Sequence, residues 1–559
     1  MYLGLAALLA SPALAQQAGL PQPAQSIALD DHSMVAGAVA LPNHNMVLLL
    51  TSSATSAVVA QCLAPDGHTL WKTTLNRYQH ATNDWHYALD TRNIAIGRDA
   101  RERKQLTKER ATADLWPSSV YTDGDNLVLA EKISASGAKD VDKNSSVKLR
   151  ENQVFVQRLD AEGHLTQHLF EPPAAPESRK IEVWPLGRYA DASGFVEVVR
   201  ETNAREETTI FYLQHYDLAT KALRREPVTL PATPKQPNSM FLRHWYQDWS
   251  YLGHRAGQTY FSRRTLEGGP KAKPGDLPVN FEVCIVDDHG AAAAPSGFRT
   301  TLELNPGTRV AYSGHMPSLG EASHVPAWYD MPQGKSYIRV DEYDISSGGT
   351  GGFYLDHETG EVLVYGEYGV GEDMKDGGPK LEGFFMRRYA PDGRVLARSQ
   401  SPYTVEMQSF GRNYHFKGTM QRNTRFHVDP LSGHYQFSST YKPEYDNNET
   451  YSLYFNHDLN LVRYDHPTDK GKGEPTYTFV HFAQPTYTTT NFSAMHDLRV
   501  YERAHASELP LYASLEKLRR TAPAEVPYYN FYLSPTGNGK ALVVESPLGL
   551  GGKLNVYTF

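Results

Sequence analysis

The sequence predicts an all-β fold, and three observations lead to that prediction. The chain of 559 residues contains 34 Tyr, 43 Gly and 35 Pro, a composition typical of short strands joined by turns. Strand-like apolar runs recur along it, as at residues 126–130, 194–199 and 540–544. Between such runs lie turn sequences that carry Asp or Asn and usually Gly, whereas helical periodicity is scarce.

Composition also limits the classes of protein that fit. With 40% hydrophobic and 21% charged residues, the chain has the composition of a folded protein rather than a disordered one. The net charge of −8 offers no general attraction to phosphate backbones, so a nucleic-acid partner is not expected. Length alone fits three or four domains, but the recurring turns favour a single array of sheets over residues 31–559.

The first residues predict export. Residues 1–15 form an apolar run that ends in Ala13-Leu14-Ala15, the small-x-small form of a signal-peptidase site. A short buried first strand is the alternative. Residues 16–30 are predicted to be a flexible leader. No later stretch approaches the roughly 18 apolar residues of a membrane-spanning helix, so we expect a secreted or periplasmic protein that is not an integral membrane protein.

Eight turn sequences repeat one theme, an Asp or Asn after a strand-like run. An Asp carboxylate accepts hydrogen bonds from the amides of its own turn, and Gly adopts the positive φ that closes a hairpin. Their spacing is irregular, so insertions must interrupt any repeat. The eight turns lie within residues 63–71, 159–165, 216–223, 286–290, 355–363, 389–396, 428–433 and 456–462.

At these turns the sequence resembles β-propeller families whose blades carry an Asp-Gly turn followed by an apolar or Trp residue, as in Asp66-Gly67-His-Thr-Leu-Trp71. Tandem-repeat sensor, PQQ-type and NHL-type propellers are examples. The resemblance implies four-stranded blades around a central channel, six to eight in number with seven favoured. It also implies closure by the two chain ends, with residues 552–559 completing a blade beside residues 46–50.

Local motifs for catalysis, cofactors and metals are missing, so no catalytic residue, cofactor or metal ligand is predicted. The chain has no Gly-x-Ser-x-Gly elbow and no His-Glu-x-x-His helix. One stretch resembles a calcium loop, because oxygen-bearing residues occupy its ligand positions from Asp140 to Glu151. Ser145 replaces the usual Gly there, and a solvated polar loop is the competing interpretation.

An aromatic cluster supplies the candidate ligand-binding residues Trp245, Tyr246, Trp249 and Tyr251. Aromatic rings with interleaved polar groups suit stacking on a sugar or another planar ligand. Packing between neighbouring blades is the alternative, since large aromatic side chains more often lie in a core.

Cys62 and Cys284 are the only two cysteines of the chain. Each precedes an Asp-containing turn, so equivalent positions in different repeats would hold them too far apart to bridge. We therefore expect two free thiols.

Two functions remain after these exclusions. The first is a binding or scaffolding protein that recognises a protein or a carbohydrate, which needs no catalytic motif. The second is a propeller enzyme, a hydrolase or lyase, whose residues converge on the channel mouth from several blades. An outer-membrane β-barrel is a weaker third alternative, because charged residues interrupt the strand-like segments. A cluster of inward-facing His, Asp or Glu with shifted pKa values would favour the enzyme.

Overall fold

The structure, a computed structural model, describes most of the strand-forming part of the chain. None of the described residues forms a helix, so this part contains no helix long and apolar enough to cross a membrane. The described residues are 22–31, 33–52, 58–75, 119–132, 150, 152–173, 181–203, 208–232, 247–266, 279–288, 296–301, 309–310, 351–370, 380–402, 422–428, 434–441, 449–465, 478–482, 487–488, 495–497, 529–537, 540–547 and 551–559.

Within these ranges, thirty-two strands form seven sheets, each built around an antiparallel set of four. We call the sheets blades 1 to 7. Blade 1 contains β2 (Ser33–Ala40), β3 (Met46–Ser52), β4 (Val58–Leu63) and β5 (Thr69–Leu75); blade 2 contains β6 (Ser119–Asp123), β7 (Asn126–Lys132), β8 (Val154–Leu159) and β9 (Leu165–Phe170); blade 3 contains β10 (Ile181–Asp191), β11 (Gly194–Asn203), β12 (Thr208–Asp217) and β13 (Ala222–Val228); blade 4 contains β14 (Gln247–Arg255), β15 (Gln258–Leu266), β16 (Val279–Asp287) and β17 (Ser296–Thr301).

The remaining blades follow the same order with additional strands. Blade 5 contains β18 (Arg309–Val310), β19 (Gly351–Leu355), β20 (Val362–Val370), β21 (Lys380–Tyr389) and β22 (Val395–Pro402); blade 6 contains β23 (Arg422–Val428), β24 (Tyr435–Tyr441), β25 (Glu449–Phe455) and β26 (Leu461–Asp465); blade 7 contains β27 (Thr478–Phe482), β29 (Met495–Asp497), β30 (Tyr529–Gly537), β31 (Lys540–Pro547) and β32 (Gly552–Thr558), together with β1 (Gln25–Leu29); β28 (Tyr487–Thr488) joins blade 2.

Neighbouring blades meet along their first strands. β10 contacts both β6 and β14, β14 contacts β19, and β2 contacts β30. The first strands are therefore the inner strands of a ring, and the fourth strands form its rim. This is a β-propeller with seven blades among the described residues, so the predicted fold and the range of six to eight blades are confirmed.

The two ends of the chain close the ring. β1 pairs antiparallel with β32, from Gln25 opposite Val556 to Leu29 opposite Gly552. The first described strand thus becomes the outer strand of blade 7. The two ends of the chain are therefore joined by strand pairing within one sheet. The structure differs here from two expectations: residues 25–29 belong to a strand rather than a flexible leader, and the last strand pairs with them rather than with residues 46–50.

The hydrophobic core is divided among the interfaces between blades. Alternate residues of each strand face opposite neighbours, so one sheet contributes to two clusters. Blade 4, for example, sends Phe261 toward blade 3 and Phe281 toward blade 5. Buried clusters of this kind join blades 7 and 1, 1 and 2, 2 and 3, 3 and 4, and 4 and 5.

The repeated Asp turns close strand pairs as the sequence predicts. Asp160 accepts the amides of Glu162 and His164, and Asp356 accepts those of Glu358 and Thr359. Asp66, Asp217 and Asp392 do the same in their own turns. Most of these turns join the third and fourth strands of a blade, while Asp356 joins the first and second.

The turn glycines also meet aromatic side chains of the preceding blade. Gly163 has a φ of +83°, and a Cβ there would lie 2.7 Å from the ring of Trp71. Gly393 has a φ of +86°, and a Cβ there would lie 2.5 Å from Phe298. The Trp that follows the first Asp-Gly turn therefore packs on the glycine of the next blade.

Antiparallel order places these short turns at one end of the ring. We call this end, where first and second strands and third and fourth strands are joined, the turn face. The opposite end is the loop face. Strands at the loop face are joined by the long connections 76–118, 233–246 and 403–421, which lie outside the described residues.

One connection returns to the inner edge of the ring. β27 pairs parallel with the inner strand β30, β29 pairs with β27, and β28 pairs with the inner strand β6. The chain between blades 6 and 7 thus adds strands on the channel side of blades 7 and 2.

Candidate functional site

Long side chains tie adjacent blades together across the turn face. Trp71 donates its Nε1–H to the Ala161 carbonyl at 2.9 Å, and Arg158 donates to the Ala192 carbonyl at 2.7 Å. Arg388 reaches the His457 carbonyl in the same way. In each case a blade donates to a turn of the next blade, so these contacts have a structural role.

At the interface between blades 3 and 4, titratable side chains meet near the turn face. Tyr189 lies near the end of the inner strand β10, and His254 near the end of the inner strand β14. A β-bulge between Tyr251 and Gly253 shifts the register of β14. Leu252 then faces blade 5, while His254 returns to the blade 3 side opposite Thr259.

Asp288 completes the cluster from the end of β16. Its amide donates to the Gly257 carbonyl at 3.1 Å, which fixes it beside the β14–β15 hairpin. One carboxylate oxygen, Oδ1, lies 3.0 Å from Nε2 of His254 and 3.3 Å from the hydroxyl of Tyr189. Two inner strands, the second strand β15 and one turn thus bring together the groups of what we call the seam cluster: Tyr189, His254, Thr259 and Asp288.

The rings of Tyr189 and His254 are stacked. Their centroids are 3.8 Å apart, and their planes differ by 6°. The Thr259 hydroxyl donates to the Tyr189 oxygen at 3.1 Å. Stacking and hydrogen bonds together hold the phenol and the imidazole in one orientation, as an acid–base pair requires.

Burial determines the charge state of Tyr189. Desolvation, reinforced by the negative charge of Asp288, raises the pKa of the Tyr189 phenol well above its usual value. The phenol therefore keeps its proton. His254 and Asp288 are more open, with 14% and 21% of their side chains exposed.

Asp288 also determines which nitrogen of His254 carries a proton. A carboxylate at Nε2 favours the tautomer with hydrogen on Nε2, because that nitrogen then donates to Asp288. Nδ1 is left with a lone pair that can accept a proton. The cluster thus combines an oriented base, a protonated phenol and a carboxylate that links them.

A second histidine–carboxylate pair lies on the same face of blade 3. Nδ1 of His215 is 3.5 Å from Asp191, and both side chains are largely buried. Burial acts to raise the pKa of Asp191, but hydrogen bonds from His215, Ser193 and Gly194 outweigh it and lower the pKa to about 2. Asp191 is therefore ionised throughout the physiological range.

Neither cysteine offers a nucleophile to this cluster. Cys62 and Cys284 are buried free thiols in blades 1 and 4, as the sequence predicts. Burial raises the pKa of Cys62 to about 12 and that of Cys284 to about 11. Thiols with such pKa values stay protonated and unreactive.

The predicted aromatic residues are only partly described. Trp249 is buried, donates to the Pro231 carbonyl at 2.8 Å and lies under the Arg263 guanidinium at 4.3 Å. Tyr251 is fully buried, and a Cβ on Gly187 would lie 1.8 Å from its ring. Both side chains therefore pack between blades. Trp245 and Tyr246 lie outside the described residues, so ligand binding by these four residues stays a prediction.

The metal candidates stand apart from the seam cluster. The calcium-loop stretch, apart from Arg150, lies outside the described residues. In the described part of the chain, ligand atoms of Asp160, Glu162 and His164 lie within 4.8 Å of one another in a blade 2 turn. This group is largely exposed, and Asp160 already accepts its own turn amides.

Local sequence patterns contain little indication of the seam cluster. Asp288 belongs to one of the eight predicted turns, but Tyr189 and His254 carry no local motif. Their proximity depends on the pairing of two blades and on the bulge in β14, neither of which has a sequence signature of its own.

Comparisons with known proteins add no family. No protein-family model and no curated protein matches the chain. Among solved structures, it is similar to the polysaccharide lyase Uly1, with 7% identity, a TM-score of 0.32 and coverage of 96% of this chain and 99% of that one.

Two further structures are similar at lower scores. The leech intramolecular trans-sialidase has 10% identity, a TM-score of 0.22 and coverage of 96% of this chain and 69% of its own. Drosophila Semaphorin 2a has 6% identity, a TM-score of 0.22 and coverage of 80% and 71%. TM-scores this low carry no activity over to this chain.

Proposed function

We propose that the protein is an exported propeller enzyme that cleaves a carbohydrate by acid–base catalysis at the seam cluster. The observation that carries this proposal is the contact of Asp288 with both Tyr189 and His254. Such a cluster at an inner-strand end is the feature that distinguishes the enzyme hypothesis from a pure binding module.

The roles follow from the charge states. His254 takes a proton from the attacking water at Nδ1, and Tyr189 donates its proton to the departing glycosidic oxygen. Asp288 lies within hydrogen-bond distance of both groups, which provides a path for returning the proton to Tyr189. The water oxygen forms the new bond to carbon, and the old carbon–oxygen bond breaks.

A carbohydrate is the proposed substrate because its cleavage needs proton transfer but no activated Ser or Cys. Among the described residues, the seam cluster has a base and an acid without such a nucleophile. The signal sequence predicted in residues 1–15 would place the enzyme in the periplasm or outside the cell, where polysaccharides are encountered.

The test is turnover of a panel of neutral, cationic and anionic polysaccharides. Release of reducing ends reports hydrolysis, and the ultraviolet absorbance of unsaturated sugars reports elimination. We expect His254→Ala to lower turnover by about 100-fold or more. The exposed His164→Ala variant on the same face is the matched control and should retain activity.

Binding of the same polysaccharides, measured in parallel, separates the enzyme from the binding module. Wild-type turnover that His254→Ala abolishes, with binding retained, supports the enzyme. Tight binding of a polysaccharide or protein without turnover would instead support the binding module, and equal activity in both variants would exclude the seam cluster as the site.

A further inference from the structure

The main chain of His254 belongs to blade 4, but blade 5 also holds it. Nδ1 of His357, in the β19–β20 turn of blade 5, lies 3.2 Å from the His254 carbonyl oxygen. A carbonyl oxygen only accepts hydrogen bonds, so Nδ1 of His357 carries the hydrogen and donates it. The two histidines are 103 positions apart in the chain, and only the packing of blade 4 on blade 5 brings them together.

The hairpin at the end of β14 makes this carbonyl available. Ala256 and Gly257 have φ values of +48° and +72°, as in a two-residue hairpin turn closed by a hydrogen-bonded pair. Arg255 and Gln258 form that closing pair, and His254 is the next residue along β14. Because hydrogen-bonded and non-hydrogen-bonded pairs alternate along an antiparallel ladder, the His254 carbonyl points away from β15.

Gly253 allows blade 5 to approach this part of β14. A Cβ on Gly253 would lie 2.7 Å from Cδ2 of Leu355 and 3.3 Å from Cε1 of His357. Both distances are shorter than the optimal separation of two carbon atoms, about 3.5–4.0 Å. The residue beside His254 is therefore one at which a side chain would push the blade 5 turn away.

Arg255 makes the contact between the two blades reciprocal. It donates Nε to the His357 carbonyl at 2.8 Å and a terminal nitrogen to the Glu358 carbonyl at 2.7 Å. These bonds and the one from His357 join residues 254–255 to residues 357–358. The bond from His357 is the one that ends on a residue of the seam cluster.

We propose that His357 is a positioning residue for His254 and acts through the His254 carbonyl. The inference rests on the proposed function for the role of His254 as a base, whereas the hydrogen bond is a feature of the fold. It extends the site from blades 3 and 4 to the turn of a third blade.

The bond is important because the strand pairing around His254 is irregular. The bulge between Tyr251 and Gly253 disrupts the ladder of β14 just before His254. A hydrogen bond from blade 5 restrains the main chain at this point. The His254 ring then keeps its stacking on Tyr189, with centroids 3.8 Å apart, and its Nε2 keeps its position 3.0 Å from Asp288.

Turnover of two variants at His357 tests the proposal. His357→Leu removes the donor, whereas His357→Asn keeps an N–H group close to the position of Nδ1. We expect His357→Leu to lower kcat about tenfold with KM nearly unchanged, because a misplaced base weakens the transition state more than substrate binding. His357→Asn should recover most of the activity. Equal losses in the two variants would overturn the proposal.

A hydrogen bond between two other blades supplies the control. Trp71→Phe removes the donation from blade 1 to the Ala161 carbonyl of blade 2. Trp71→Phe and His357→Leu should each lower Tm slightly, because each loses one hydrogen bond between blades. Only His357→Leu should lower kcat. A similar loss of kcat in both variants would assign His357 a purely structural role.

A measurement without substrate keeps the inference separate from the proposed function. In protein with labelled histidines, the His254 ring signal is assigned through its loss in His254→Gln. We expect one sharp His254 signal in the wild type and in His357→Asn, and a broadened or doubled signal in His357→Leu, since the ring then samples several orientations.

The two readouts have different consequences. If the wild type cleaves no polysaccharide but His357→Leu broadens the His254 signal, the proposed function fails and the positioning role stands. If the wild type is active and His357→Leu leaves the His254 signal and kcat unchanged, the positioning role is wrong and the proposed function stands.

Discussion

Blade 4 presents two different faces to its neighbours. Toward blade 5 its buried side chains, Leu252, Tyr260 and Phe281 among them, form an apolar cluster. Toward blade 3 it has an apolar centre with a polar group at each end, the Arg263–Glu282 pair and the seam cluster. One sheet therefore joins its neighbours in two ways.

The contrast shows that these blades do not need buried ionisable groups to adhere. Burial of apolar side chains suffices between blades 4 and 5. At the turn face, Arg255 of blade 4 adds a hydrogen bond to the His357 carbonyl of blade 5. Arg263 between blades 3 and 4 has a similar anchoring role, since it donates to Glu282 and to the Pro231 and Ala232 carbonyls. Tyr189, His254 and Asp288 have no counterpart in the blade 4–5 cluster and carry a cost of burial, which a catalytic role would explain.

The largest expected effect is on activity at the polar interface. Asp288→Asn should lower turnover of the proposed substrate by ~100-fold or more, since the amide would donate to Nε2 of His254 and move the ring proton to Nδ1. Steady-state kinetics measure the loss. Thermal unfolding should show nearly unchanged stability; a large stability loss of matching size would assign Asp288 a structural role instead.

The second effect is on stability at the apolar interface. Phe353 is buried against Phe281 with ring centroids 5.5 Å apart. Phe353→Ala should lower the free energy of unfolding by about 3–5 kcal/mol through the lost transfer energy and the cavity. Denaturant unfolding measures the change. Turnover per folded molecule should remain, and its loss would contradict the separation of the two faces.

How much of this could be predicted from the sequence depends on the range of the interactions. The Asp turns act over a few residues, so Asp66, Asp160 and Asp392 indicate the hairpins and, through their repetition, the propeller. The closure by residues 25–29 was missed because a Gln- and Pro-rich start resembles a leader. The seam cluster depends on contacts between residues about 100 positions apart, as with Tyr189 and Asp288, which local patterns do not encode.

The third effect is a pH dependence at the blade 3 side of the polar interface. The pKa of Asp191 is lowered from 3.8 to about 2 in the folded protein. Its contribution to stability is therefore complete above about pH 4 and disappears as the pH falls toward 2. Asp191→Asn should cost about 2 kcal/mol at pH 7 and almost nothing at pH 2.

Urea unfolding of both proteins across this pH range measures the difference. Equal stability of the two proteins at every pH would show that Asp191 stabilises the turn only as a neutral acceptor, because Asn keeps the oxygen that binds the Ser193 and Gly194 amides.

The smallest expected effect is on stability and concerns Arg255, which hydrogen-bonds blade 4 to blade 5 at the turn face. Arg255→Ala removes two hydrogen bonds to backbone carbonyls and should cost about 1 kcal/mol. Differential scanning calorimetry should show a small decrease in Tm. A loss several times larger would mean that this contact, rather than apolar burial, holds the two blades together.

The central claim is tested most directly by removing one hydroxyl group on each side of blade 4. Tyr189 and Tyr260 are both buried, but Tyr189 belongs to the seam cluster and Tyr260 to the apolar cluster toward blade 5. Turnover of the polysaccharide that the wild type cleaves is measured for Tyr189→Phe and Tyr260→Phe. We predict a loss of at least about tenfold for Tyr189→Phe and full activity for Tyr260→Phe. Equal activities of the two variants would contradict acid–base catalysis at this site.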